Sequence, residues 1–316
     1  MKHWRFRAHD AQRIESLQRL SQLPPVLAQL LVGRGVYHPD DAKRFLDVKL
    51  TGLRDPDELP GIPQAADRID AAIRDGRRIV VYGDYDADGM TGTSILLRCL
   101  QLLRANVSYY IPNRLDEGYG LNDEALQTLA QRGAATVITV DCGIASLVEA
   151  KTARELGLEL VVTDHHEPAA EPPDASAIVH PRLHGRFYPF AGLSGSGVAL
   201  KVAWALCQRA DNSKRVSDRL KDFLLCAVGL AALGTVADVV PLVDENRVLV
   251  QYGLQSLKER PGLGLAALMK LTKLAGKPRL DSDDLSFMLA PRLNAAGRFG
   301  QAQLGIELLT TTDRKS

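Results

Sequence analysis

The sequence predicts an α/β fold: a parallel sheet flanked by helices, with helical additions at both ends. Three observations carry this reading. Between residues 78 and 180, short runs rich in β-branched residues alternate with stretches of helical spacing. The first run, "RIVVYGD", is of the kind that suits a strand buried on both faces. Strand and helix alternating in this way implies right-handed crossovers and a parallel sheet.

The elements follow in order. Residues 1–60 read as a helical N-terminal segment and linker, with helices in "DAQRIESLQRLSQLPPVLAQLLVGRG" and "HPDDAKRFLDV". In the second of these, Pro39 stands near a helix start, and Asp40 and Asp41 favour its N-terminal dipole. "LRDPDELPGIP", with three prolines and a glycine, reads as a linker or lid. Residues 61–316 read as one catalytic domain. After "RIVVYGD" come a helix in "MTGTSILLRCLQLLRA", a strand in "VSYYI" and a helix in "NDEALQTLAQRG" capped by Asn122. A strand in "TVITVDCG", a helix in "IASLVEAKTAREL", and strands in "ELVVTDHH" and "SAIVH" complete the alternation. From "GLSGSGVALKVAWALCQ" onward the chain reads as mostly helical. That glycine-rich turn enters a helix, so it suits either close helix packing or anion binding by backbone N–H groups.

Bulk properties exclude several classes. The 316 residues are 46% apolar and 24% charged, as in a globular protein, and the formal net charge is +1. No global basic field exists, so any polyanion site must rest on locally placed arginines. "MKHWRFRAHD" has no apolar core of a secretory signal, and no apolar run approaches the ~20 residues that span a bilayer. A cytoplasmic protein without membrane contact is expected. Cys99, Cys142, Cys207 and Cys226 form no CxxC pair and read as reduced thiols.

Acids gather at strand ends. The first strand runs into Asp84, Asp86 and Asp88, the third into Asp141, and the fourth into Asp164, His165 and His166. Ligands of open α/β sheets bind beyond the carboxyl ends of the strands, so these side chains would share one crevice. Asp238, in "LGTVADVVPL", lies among apolar residues and needs a cation partner. "DYDADG" matches the first half of a calcium loop, but position twelve is Ile95 where a bidentate glutamate is required, and a strand precedes it. The calcium-loop reading fails. Clustered carboxylates with one or two imidazoles and no thiolate suit hard divalent ions such as Mn²⁺ or Mg²⁺ better than structural zinc. Asp86 and Asp88, at i and i+2, can each hold a separate ion, and Asp141 can bridge both. Such a two-metal centre, with ions ~3.5–4 Å apart, suits in-line attack on phosphorus.

The motifs "DYDADG", "VDCG", "TDHH" and "GTVADVVPL", in this order, resemble the DHH phosphoesterase family, named for Asp-His-His, here Asp164-His165-His166. "GDYDADGMTGTSIL", "YIPNRLDEGYGLN", "TDHHEP" and "APRLNAAGR" are similar to its branch of single-strand-specific 5′→3′ exonucleases. The resemblance runs from roughly residue 30 to the end of the chain. It implies that Asp88, Asp141, His165 and Asp238 hold one metal, and that Asp86 and Asp141 hold the other with Asp84 close by. It also implies that His166 faces the scissile phosphate, Asp164 orients the histidines, and two Mn²⁺ or Mg²⁺ ions are the cofactors. Arg114 is the best arginine for a phosphate contact, and Arg292, Asn294 and Arg298 of "PRLNAAGR" would clamp substrate phosphates. The implied activity is exonucleolysis of single-stranded DNA in bacterial recombination and repair, with single-strand-binding protein and a helicase as partners.

Family members carry a second globular part after a long connecting helix, and this branch also has an OB-type module. The chain is expected to lack both, since it stops at "TTTDRKS" where that helix should begin. Two other functions fit the motifs less well. Relatives acting on oligoribonucleotides, bisphosphonucleotides or cyclic dinucleotides start their first motif with histidine, where this chain has Tyr82 and an added Asp84. Non-enzymatic scaffold relatives have lost metal ligands, whereas every ligand position is filled here.

Overall fold

The structure is a computed structural model that describes residues 9–313. Most of the N-terminal stretch read for a secretory signal, and the last residues of "TTTDRKS", lie outside them. The chain divides into two compact units, Met1–Gly52 and Leu53–Ser316. In the first, α1 (Ala11–Ser21), α2 (Pro25–Val32) and α3 (Pro39–Leu46) enclose a small core of Ile14, Leu17, Ala28, Leu31, Val32 and Ala42.

The second unit opens with the proline-rich segment. It is folded rather than free. Asp55 caps a short 3-10 turn, Pro56–Glu58, in a capping box with Glu58, and Pro56 and Leu59 are buried. Asp57 pairs with Arg209 at 2.8 Å and Lys214 at 2.9 Å. Gly61 adopts φ +87 against Ile178, whose carbonyl oxygen would lie 1.7 Å from any Cβ there.

Then α4 (Ile62–Arg74), β1 (Ile79–Gly83), α5 (Ala87–Leu102), β2 (Val107–Tyr110), α6 (Asp123–Gln131), β3 (Thr136–Val140), α7 (Leu147–Glu155), β4 (Glu159–Thr163) and β5 (Ala177–Val179) follow. All five strands pair in parallel in the order β2-β1-β3-β4-β5. From β1 the chain crosses to β2 on one side and to β3 on the other, so the switch point lies between the ends of β1 and β3. Alternate strand residues enter two cores: Val81 and Ile138 face α4, α5 and the C-terminal helices, whereas Val80, Tyr82 and Val137 face α6 and α7.

The helical remainder is α8 (Gly195–Ala210), α9 (Asp218–Ala237), α10 (Asp244–Glu259), α11 (Leu263–Leu271), α12 (Ala290–Arg298) and α13 (Ala302–Thr310). α9 corrects one expectation. Among the described residues it alone is long and apolar enough to cross a membrane. It is apolar nearly all round because it packs against α5, α8 and α10, and 61% of its most apolar stretch is buried.

A charged cluster is sealed inside this layer. The Lys201 ammonium, 2% exposed, donates to Glu245 at 2.6 Å and to the Arg54 carbonyl at 2.5 Å. The fully buried Glu245 carboxylate also accepts from the Arg54 N–H at 2.9 Å and from the Tyr188 hydroxyl. This network ties the proline-rich segment to α8 and α10. Removing one member of a buried pair strands the other charge. Glu245→Ala should therefore cost about 3–5 kcal/mol, read as a lower denaturant midpoint; an unchanged midpoint would show that the cluster is not structural.

Candidate metal centre

One ladder stations the three acidic strand ends. The N–H of Asp84 donates to Val140 O at 3.2 Å, that of Asp141 to Thr163 O at 3.1 Å, and that of Asp164 to Val179 O at 3.2 Å. Each acid is thus the residue at which its strand pairing ends, and all three end at the same edge of the sheet. Asp141 turns out of β3 with φ +63, a left-handed conformation uncommon for a non-glycine residue.

Asp86 is the N-cap of α5 and accepts from Gly89 N at 2.9 Å. Asp88, in the first turn, is 1% exposed and points at the start of α8. Its Oδ2 accepts from Gly195 N at 2.6 Å and its Oδ1 from Ser196 N at 3.1 Å. The glycine-rich turn therefore packs closely and binds an anion, and the anion is a carboxylate of the chain itself. A Cβ at Gly195 would stand 2.4 Å from Asp141 Oδ1, and one at Gly234 2.4 Å from Asp88 Oδ1.

Asp164 is fully engaged. Its Oδ1 accepts from His165 N at 2.7 Å, His166 N at 3.1 Å and His166 Nδ1 at 2.8 Å, and its Oδ2 from Ile144 N at 3.0 Å. Burial opposes its charge, but the His166 hydrogen bond prevails and holds its pKa below the usual value. The same bond raises His166, whose side chain is 45% exposed.

The remaining groups converge without partners. His165 Nε2 lies 3.0 Å from Asp141 Oδ1, 3.5 Å from Asp238 Oδ2 and 3.9 Å from Asp88 Oδ2. Three overlapping sets place ligand atoms within 4.8 Å of one another: Asp84, Asp86 and Asp141; Asp88, His165 and Asp238; Asp141, His165 and His166. Asp84 Oδ1, Asp141 Oδ1, His165 Nε2 and Asp238 Oδ2 are buried and unbonded. Buried polar atoms ordinarily find partners, and acceptor atoms facing only one another are the donor set of a hard cation. Asp238 also caps the C-terminus of α9, where the helix dipole disfavours a carboxylate unless a positive charge is near. Burial foremost, then neighbouring carboxylates, pushes Asp84 and Asp238 up to about 7 and raises Asp86 and Asp141. Burial lowers His165, keeping its lone pair available.

Beside this centre is a cavity of about 310 Å³ lined by Asp84, Tyr85, Asp86, Arg114, Tyr119, Asn294 and Arg298. Arg114 lies over the Tyr85 ring at 5.1 Å. The acids flanking it are engaged elsewhere, Asp116 with Asn113 and Glu117 with Tyr110. Asn294 and Arg298 are one turn apart on α12, and Asn294 Oδ1 accepts from Ala87 N at 2.7 Å. Arg292 is not brought to the cavity: it is exposed and bonds back to Met288 O at 2.6 Å. Tyr119 was not singled out by the sequence. Its hydroxyl donates to Asp141 O at 3.0 Å and lies 3.3 Å from His166 Nδ1. Its place in "YIPNRLDEGYGLN", just past Arg114, is the only signal for it.

Residues 78–228 match the N-terminal domain model of the DHH family, and the chain belongs to that family. Over 310 residues it is 45% identical to the single-stranded-DNA-specific exonuclease RecJ of Bacillus subtilis (strain 168), covering 98% of this chain and 38% of that protein. A crystal structure of RecJ from Thermus thermophilus in complex with Mn²⁺ aligns with TM-score 0.79 at 34% identity, covering 97% of this chain and 42% of that one. A crystal structure of exonuclease RecJ bound to manganese aligns with TM-score 0.73 at 39% identity, covering 84% and 64%. The chain thus spans 38% to 64% of the length of these relatives.

With no ion bound, Asp84 and Asp238 hold protons up to about pH 7, against 3.8 ordinarily. The folded state then binds more protons than the unfolded one between those values. That stability is fully present below the ordinary pKa and is lost as pH rises through about 7. The thermal midpoint of chelator-treated protein should fall from pH 5 to pH 8, and saturating Mn²⁺ should abolish the fall. Equal profiles with and without the ion would contradict it.

Proposed function

We propose that the chain is the catalytic portion of a divalent-metal-dependent phosphodiesterase, a single-stranded-DNA-specific 5′→3′ exonuclease of bacterial recombination and repair. The observation that carries this reading is the set of buried, unbonded Asp84, Asp141, His165 and Asp238 atoms at the switch point of the sheet. The likeness to RecJ over nearly the whole chain supports it. Asp88, Asp141, His165 and Asp238 would hold one Mn²⁺ or Mg²⁺, and Asp86 and Asp141 the other, with Asp84 beside it. Bound ions of this type polarise a phosphodiester and lower the pKa of water.

The chain's own groups do the rest. Asp164 keeps His166 protonated at Nδ1 and leaves Nε2 for a phosphate oxygen. Arg114 and Arg298 bring positive charge to the adjoining cavity, supplying locally what a net charge of +1 does not. Asn294 fixes the acidic loop through Ala87. Single-strand-binding protein and a helicase, acting in the cytoplasm, are the partners that would present such a strand.

The chain with Mn²⁺ and 5′-labelled single-stranded DNA should release labelled mononucleotide, and chelator should stop it. Hydrolysis of dinucleotides with no action on polymer would replace the reading by a small-substrate phosphoesterase. No hydrolysis of either, even with the C-terminal part of a relative supplied, would overturn it.

Asp141→Ala, which removes an acid shared by two ligand sets, should cost roughly 10³-fold in rate, or about 4 kcal/mol of transition-state stabilisation. His166→Ala should leave Mn²⁺ affinity near wild type and lower kcat roughly 10²-fold, as for loss of one oxyanion donor. Calorimetry and steady-state kinetics separate the two variants. Retention of full rate in Asp141→Ala would end the shared-ligand assignment.

A further inference from the structure

The turn that carries the two histidines is held from both sides. On the cleft side, the N–H groups of His165 and His166 both donate to Asp164 Oδ1. Behind the turn, the His165 carbonyl accepts from Arg182 Nη2 at 2.8 Å, and the His166 carbonyl pairs with His180 Nε2 at 2.8 Å. All four backbone polar groups of this dipeptide are therefore fixed.

His180 follows β5 and is fully buried. Its Nδ1 accepts the backbone N–H of Arg182 at 2.9 Å. A neutral imidazole that accepts at Nδ1 must carry its proton at Nε2, which is the atom aimed at the His166 carbonyl. Arg182 adds a second grip, because its Nη1 donates to Glu167 Oε2 at 2.6 Å. The two residues thus interlock: the main chain of one orients the ring of the other, and both side chains reach the same turn.

A buried histidine could serve only to satisfy the end of a strand. The placement here says more, because both donors end on the carbonyls of the two residues whose rings enter the cleft. Imidazole direction follows from backbone position, and His165 Nε2 stands 3.0 Å from Asp141 Oδ1. We infer that His180 and Arg182 are positioning residues that set the stance of the His165–His166 pair by gripping its two carbonyl groups. This rests on the metal-centre reading above.

Wild type, His180→Leu, His180→Gln and Arg182→Ala are compared as the full chain by Mn²⁺ calorimetry, thermal midpoint, and kcat and KM on single-stranded DNA. His180→Leu should bind Mn²⁺ roughly 10–100-fold more weakly, the usual effect of removing a partner that orients a ligand. His180→Gln keeps a donor and an acceptor and should recover most of that loss. Arg182→Ala alters a half-exposed side chain, so its thermal midpoint should stay near wild type while Mn²⁺ affinity falls and kcat drops more than KM changes. If wild type binds no Mn²⁺, the metal-centre reading fails and this inference with it. If wild type binds and Arg182→Ala and His180→Leu bind equally well, the positioning role is overturned and the metal centre stands. His180→Gln no better than His180→Leu overturns it too, since packing alone would then explain the site. If His180→Leu does not fold, Arg182→Ala decides.

Discussion

The structure depends on one contact, the Asp88 carboxylate received by the first N–H groups of α8. Asp88 belongs to the helix that follows β1, and α8 lies beyond the last strand. Their meeting joins the start of the sheet to the helical layer at the point where the acids gather. It also offsets part of a problem the site creates for itself. Asp84, Asp86, Asp88, Asp141 and Asp238, gathered in one crevice, repel one another, and Asp88 is compensated by the partial positive ends of two helices, its own α5 and α8. Gly195 and Gly234 are the consequence of this contact, since side chains there would occupy the space of Asp141 and Asp88.

The sheet was legible because its signals are local. "RIVVYGD", "TVITVDCG" and "ELVVTDHH" each carry their β-branched run and their terminal acid within eight residues or fewer, and a parallel sheet follows from alternation alone. The acids at the ends of three strands could be collected into one crevice because parallel strands end on one side. What was not legible is made by backbone or by distant segments. The receptor for Asp88 is a pair of N–H groups more than a hundred positions away; the glycine-rich turn marks them as a possible anion site, but nothing in the sequence says that the anion is Asp88. "LRDPDELPGIP" has the composition of a linker, yet Asp57 and Arg54 pin it through partners that only the fold reveals. Tyr119 reaches Asp141 and His166 from a loop whose path is set by Glu117, Tyr110 and Asn113. The case of Arg292 differs, because helical spacing alone places Asn294 and Arg298 on one face of α12 and Arg292 off it.

Two kinds of carboxylate stand side by side. Asp164 has a partner for every acceptor it offers and is stabilised in its charged form; Asp84, Asp141 and Asp238 have few or none and are pushed towards protonation. Environment separates them, not residue type. The fully bonded acid acts on the protein, fixing the histidine turn, and the unbonded ones face the cleft. The same division explains how a chain of nearly zero net charge can hold an intensely negative pocket next to an arginine-bearing one.

The closeness of the glycines also limits how such a site can diverge. Much of the wall behind the acids is main chain: Gly89 abuts Asp84, Gly195 abuts Asp141, Gly234 abuts Asp88, and Gly297 would meet Tyr85 O at 2.0 Å if it carried a Cβ. A wall of that kind offers selection almost no side chains to vary. The side chains that line the cavity apart from the acids are Tyr85, with Arg114 and Tyr119 of the loop after β2, and Asn294 and Arg298 of α12, and these are where what the site accepts can be varied. The acidic floor is kept uniform by sterics, and novelty is confined to the rim.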